Sequence, residues 1–324
     1  MADWHIFHGS GEPHPWQLPE TPPWRRFTGG PAMPPPPGDW WQRRPIDLER
    51  AQAYQAAPDE VDLINVAIYL RRPLLVTGKP GTGKSTLAYA VAHELGLGPV
   101  LRWPVTSRSV LQEGLYRYDA IGRLQEANLG GGDQPETDSI GNFLQLGPLG
   151  TALLPYELPR VLLIDEIDKS DIDLPNDLLN VLEEGEFTIP ELERHSQNEI
   201  DVRLQDHRGT AAVVNGMVRC RAFPIIIMTS NGERDFPPAF LRRCVRLELA
   251  APMPERLARI VASHLGTDMV EQARDVIEQF LTKRESGDLA TDQLLNAVFL
   301  TCHTPGFDRE ALASMVLRHL TSAN

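Results

Sequence analysis

Gly78-Lys79-Pro80-Gly81-Thr82-Gly83-Lys84-Ser85 decides how this chain is read. The octet satisfies GxxxxGK(S/T) in full, and its surroundings agree with it. Before it stands the apolar run Pro73-Leu74-Leu75-Val76-Thr77, expected as a strand. After it, Thr86 to Leu95 reads as a helix ending near Gly96. Each residue type has a task. Glycines let backbone N–H groups curl around a phosphate with no Cβ in the way. The helix opening at Thr86 points its positive end at the same anion. Lys84 reaches the β- and γ-phosphates, and the Ser85 hydroxyl ligates Mg2+. A chance match in a glycine-rich turn would lack the flanking strand and helix. Residues 78–86 are therefore expected to hold ATP with its magnesium.

Two further apolar runs end in polar chemistry. Val161-Leu162-Leu163-Ile164 runs into Asp165-Glu166. In a parallel sheet ligands sit at the carboxyl ends of strands, where this pair would fall. Asp165 is expected to hold Mg2+, and Glu166 to orient and deprotonate an attacking water. An acidic pair standing alone is commonly a solvated turn. A complete phosphate turn upstream favours the chemical reading. Asp168 and Lys169 read as structural. The second run, Ile225-Ile226-Ile227-Met228-Thr229-Ser230, ends at Asn231. Further strands are expected at 100–105, 187–189, 200–204, 211–215 and 217–221, with helices at 59–70 and 174–184 and a loop at 128–142. Strands that alternate with helices, each a continuous apolar run, give an α/β fold with a parallel sheet covered on both faces.

A buried strand ending in Asn231, some distance after an acidic strand end, resembles the sensor-1 strand of AAA+ ATPases. The resemblance implies that Asn231 positions the attacking water and senses the γ-phosphate. Pro237-Pro238-Ala239-Phe240-Leu241-Arg242-Arg243-Cys244 follows. In AAA+ rings an arginine here reaches the neighbouring subunit's ATP; Arg243 matches best, with Arg242 the runner-up. Within AAA+ the chain is most similar to the MoxR group, over about residues 55–321. Supporting stretches are 74–86, 106–108, Leu115-Tyr116-Arg117-Tyr118-Asp119-Ala120 and Leu146-Gly147-Pro148-Leu149-Gly150. The resemblance implies a helix-2 insertion within 106–155, a pre-sensor hairpin before Ile225, and a ring, expected as a hexamer. One departure is plain: where many relatives carry a sensor-2 arginine, this chain reads Leu289-Ala290-Thr291-Asp292-Gln293-Leu294.

The remaining features set limits. The chain has 324 residues and a formal net charge of −13, with no long Lys/Arg run, so nucleic acid is a poor partner. Its three cysteines show no zinc spacing and read as reduced thiols. With no membrane-length apolar run and no secretory signal pattern, a cytoplasmic location is expected. Three domains are expected: a Pro/Trp-rich extended tail at 1–45, an α/β nucleotide-binding domain at 46–251, and an α-helical lid at 252–324. Five tryptophans in the tail argue that it lies against a surface, and it is the expected contact for a protein substrate or adaptor. Similar tails occur on MoxR-like ATPases of bacterial conflict systems. The lead expectation is a ring ATPase that remodels, assembles or switches a protein. The alternative is a nucleotide-dependent signalling scaffold with little turnover.

Overall fold

The computed structural model describes residues 4–129, 140–206, 209–286, 289–304 and 308–318. Most of the loop expected at 128–142 lies outside these residues, as does the end of the chain. Five strands form the central sheet: β1 (Leu74–Gly78), β2 (Leu101–Pro104), β3 (Val161–Asp165), β4 (Ile225–Ser230) and β5 (Val245–Leu249). All their pairings are parallel, in the order β5-β1-β4-β3-β2. Side chains alternate between two cores, as the two-residue period of a strand requires. Leu162 and Ile164 of β3 join one core; Val161 and Leu163 join the other. Ile226 and Met228 of β4 part from Ile225 and Ile227 in the same way. This is the doubly covered sheet that the continuous apolar runs imply.

One core strand has no counterpart among the sequence expectations. β5 alternates Val-Arg-Leu-Glu-Leu, with Arg246 and Glu248 exposed, because it is the sheet's edge. Helix α1 (Pro45–Ala53), α2 (Pro58–Leu70) and α3 (Thr86–Glu94) are grouped on the face of Leu74 and Val76. Proline opens α1 and α2, where its missing N–H costs nothing. The other face carries helix Leu174–Glu184 and a six-stranded sheet built from 116–118, 144–146, 186–188, 199–203, 210–214 and 217–219. Strands Thr210–Val214 and Met217–Arg219 are joined by Asn215-Gly216, both at positive φ, which suits the right-handed twist of a tight hairpin.

Beyond residue 252 the chain is helical: Pro254–Leu265, Thr267–Gln272, Arg274–Ser286, Thr291–His303 and Arg309–Val316. These helices share an apolar core of their own, centred on Leu257, Val261, Phe280, Leu294 and Val298. Ala273, which is fully buried, turns the chain between the two short helices Thr267–Gln272 and Arg274–Ser286.

The N-terminal segment is bound to its own chain. Phe7 is fully buried beside Ile6, in the core that holds α2 and α3. Asn65, fully buried on α2, accepts the N–H groups of Ile6 and Phe7 at 2.7 and 3.0 Å and donates to the Phe7 carbonyl at 2.7 Å. Trp16 Nε1 donates to the Leu95 carbonyl. Arg25 donates to the carbonyls of Arg71, Leu182 and Glu183. Met33 exchanges backbone bonds with Pro155 and Glu157. Proline leaves this segment few donors for regular structure, so side chains and loop carbonyls take its bonds instead. Residues Trp40–Arg43 depart from the extended expectation by forming one 3-10 turn.

Asn65→Ala should strand two buried N–H groups. We expect a loss of about 2–4 kcal/mol of stability in urea denaturation. Faster proteolytic nicking within residues 5–16 should accompany it.

Candidate functional site

The parallel order brings three strand ends together. β1 leads into the phosphate turn, β4 lies beside β1, and β3 beside β4. Gly78, Gly81 and Gly83 all have positive φ, which an L side chain rarely adopts. A Cβ on Gly81 would stand 2.6 Å from the Thr291 nitrogen, so this glycine also lets the helical segment close on the turn. Lys84 is buried, and its Nζ donates to the carbonyls of Gly78 and Lys79 at 2.8 and 2.9 Å. Burial lowers its pKa, and the carboxylates of Asp168, Glu166 and Asp165 act against that.

Ser85 and Asp165 meet, as the sequence implies. Ser85 Oγ donates to Asp165 Oδ1 at 2.6 Å. Thr229 Oγ1 donates to the same carboxylate oxygen at 2.8 Å and accepts the Glu166 N–H at 2.8 Å. The serine hydroxyl and carboxylate next to the phosphate turn are hard oxygen donors, which fit Mg2+ rather than a softer metal. When bound, the ion would neutralise phosphate charge. Glu166 has φ 60 and ψ 50, a left-handed conformation unusual for glutamate. Its carboxylate is half-exposed and pairs with Lys169 at 2.7 Å, which raises the lysine's pKa.

Asn231 and Thr229 line the same cavity as Lys84, Ser85, Asp165 and Glu166; its volume is about 530 Å3. That falls within the usual ~300–1,000 Å3 of small-molecule sites. Asp168 is buried and accepts the N–H groups of Asn231 and Glu233 at 2.8 and 3.2 Å, so it positions the Asn231 turn. Arg242 and Arg243 do not line this cavity. Arg243 is held within the chain by Glu183 and the Ala239 carbonyl. The Arg242 side chain is exposed and makes no hydrogen bond or ion pair among the described residues.

Three polar residues of the cavity stand out among those the sequence did not mark as part of the site. Tyr54 and Arg256 both line it. Arg256 binds both oxygens of buried Glu60 at 2.6 and 3.2 Å, and Tyr54 donates to Glu60 at 2.6 Å. Burial and then Glu60 push the tyrosine's pKa well up. The third is Thr229, whose place at a strand end beside Asn231 was the available signal. Nothing local marks Arg256, which lies 196 positions from Glu60.

Sheet order, phosphate turn and the two strand ends define a nucleotide-binding P-loop domain of the AAA type. The chain belongs to the AAA domain family, dynein-related subfamily, whose model matches residues 73–244. No curated protein matches the chain. Among solved structures it is similar to NtrX from Brucella abortus in complex with ADP, at 17% identity and a TM-score of 0.42. The match covers 86% of this chain and 59% of that one, so this chain spans about three-fifths of NtrX. No described helix is long and apolar enough to cross a membrane.

Thr229→Val removes one donor to Asp165 and the acceptor for the Glu166 N–H. Affinity for a fluorescent ATP analogue in Mg2+ should fall about tenfold, the usual scale for a residue that orients a metal ligand.

Proposed function

We propose that this protein is a MoxR-type AAA+ ATPase that hydrolyses ATP at the interfaces of a ring, expected as a hexamer, to remodel, assemble or switch a protein partner. The observation that carries the reading is the Ser85–Asp165–Thr229 junction beneath Glu166. In this reading the turn at 78–86 and Lys84 hold the phosphates, and Ser85 and Asp165 hold Mg2+. Glu166 turns away from Lys169 to take the proton of the attacking water, and Asn231 aligns that water. Phosphoryl transfer needs positioning and charge neutralisation more than covalent help.

An arginine from a neighbouring subunit would complete the site. Arg243 fits the family position best in sequence. Its bonds to Glu183 and Ala239 engage it within its own chain, whereas Arg242 is exposed. That contrast favours Arg242 as the residue that reaches across.

The N-terminal tail fastens to its own chain over much of its length, which supports a contact made by its exposed parts. Trp24 is 73% exposed, an unusual cost for so large an apolar side chain. It is the tail residue we assign to an adaptor or substrate, in a bacterial conflict system on the analogy of similar tails. The alternative, a signalling scaffold with little turnover, is favoured by one observation. Thr291 and Asp292 stand in the cavity where a sensor-2 arginine is usual, and Arg256 is engaged with Glu60.

Glu166→Gln should retain ATP affinity within about twofold and lose at least ~100-fold in turnover. Arg242→Ala should lose turnover without losing affinity, and Arg243→Ala should lose less. Phosphate release by each variant, with particle mass measured with and without ATP, tests the reading. Full turnover by Glu166→Gln, or a monomer under every condition, would sink it.

A further inference from the structure

A second cavity, of about 470 Å3, opens at the β2 edge of the central sheet. It shares no lining residue with the nucleotide cavity. We infer that it binds a small molecule carrying a diphosphate, held by Arg43, Arg44, Arg50 and Arg102. The size is usual for a small-molecule site.

The charge of the cavity is opposite to that of the chain. Net charge over the whole sequence is −13, yet four arginines line this one space. They come from the turn before α1, from α1 itself and from β2, so the fold gathers them. Two carboxylates also line it, and both are engaged. Asp206 is paired with Arg160 at 2.5 Å, with both side chains buried. Asp47 lies 3.4 Å from Arg44 and 3.7 Å from Arg50 and serves both. Arg43 has no acid partner among the described residues. Four guanidinium groups less one shared carboxylate leave three positive charges, and Arg102 shares one of these with Asp165. A diphosphate offers matching negative charge, and its oxygens suit the paired N–H groups of guanidinium. A cavity of this size in so acidic a chain suits a small anion rather than a nucleic acid.

The arginines are held ready. Arg50 Nη1 donates to the hydroxyl of buried Tyr89 at 3.4 Å, and its guanidinium lies 5.4 Å from that ring's centroid. Burial raises the Tyr89 pKa; Arg102 and Arg50 draw it down and Asp47 raises it, so these charges gather around one hydroxyl. Side chains already ordered lose less freedom on binding. Helix α1 also begins here. Pro45 and Ile46 line the cavity and no side chain caps the helix, so its positive end adds to the field.

The site borders the carboxylate proposed above for magnesium, and its effect on the nucleotide site rests on that reading. Ser85 and Thr229 bond to Oδ1 of Asp165, while Arg102 Nη2 stands 3.4 Å from Oδ2. A diphosphate that draws Arg102 into the cavity releases Oδ2 to Mg2+. The bound anion would thus favour nucleotide binding.

The test titrates pyrophosphate into the full chain by calorimetry, in a Lys84→Ala background that removes the cation of the phosphate turn. One equivalent should still bind. Adding Arg43→Ala and Arg50→Ala together should weaken it about tenfold or more, and added salt should weaken it further. Arg274→Ala, on the C-terminal helices, should change nothing. Melting temperature and circular dichroism of each variant confirm that it is folded. In the chain with Lys84 intact, Arg102→Gln should lower the Mg2+ concentration that half-saturates binding of an ATP analogue about threefold. Pyrophosphate binding that vanishes in Lys84→Ala, or that survives the paired arginine substitutions, overturns the site. An unchanged Mg2+ requirement in Arg102→Gln overturns the link to Asp165. A hexaglutamate peptide that binds through these arginines where pyrophosphate does not would overturn the small-anion assignment in favour of an acidic protein segment. Loss of ATP-analogue binding in the unsubstituted chain, with arginine-dependent pyrophosphate binding intact, would count against the nucleotide reading and for this site.

Discussion

The candidate site is organised around one carboxylate oxygen, Oδ1 of Asp165, which receives hydrogen bonds from Ser85 and Thr229. The three residues come from segments separated by 80 and 64 positions, and no local preference could bring them together. Strand order does it. With β4 between β1 and β3, the turn after β1 and the ends of β3 and β4 share one edge of the sheet. A slip of one residue in either pairing would turn every side chain of a strand to the opposite core. Burial of Leu162 and Ile164 on one face, and of Val161 and Leu163 on the other, therefore fixes where Asp165 points.

How much of this could be read in advance follows from the range of each interaction. The phosphate turn is local, and its glycines, lysine and serine sit where the motif places them. β3 and β4 were legible because a strand buried on both faces must be apolar throughout. β5 was not, since an edge strand with Arg246 and Glu248 exposed looks like any surface stretch. The Tyr54–Glu60–Arg256 group was invisible for a different reason. Its energy comes from a buried ion pair between α2 and helix Pro254–Leu265, and sequence carries no trace of which carboxylate an arginine will meet. The tail's tryptophans signalled docking but not its target. Asn65, an ordinary residue in a helix, turned out to hold the tail's backbone.

Glu166 shows what the scaffold supports at its centre. A non-glycine residue in the left-handed region costs of order 1 kcal/mol or more and persists only where its surroundings impose it. Here the Thr229 hydroxyl holds its N–H, and the Lys169 N–H bonds back to its carbonyl at 2.9 Å. Asp168, two residues on, fixes the Asn231 turn through two backbone bonds. The strained turn after β3 thus sets both its own glutamate and the end of β4. A residue that the sequence marks only as structural acts through the position of a polar neighbour.

The same logic extends along α3. Its first turn lies against the phosphate-binding glycines, and its last residue lies among the imidazoles of the N-terminal segment. The helix is nine residues long, so its two ends are about 14 Å apart at 1.5 Å per residue. Six of its side chains belong to a packed core that includes Phe7, and a packed helix moves as a unit rather than by bending. Whatever holds Glu94 therefore also holds the base of the phosphate turn, and whatever the turn grips is felt at Glu94. Through Phe7 and Glu94 the N-terminal segment packs on the same helix that opens at the phosphate turn.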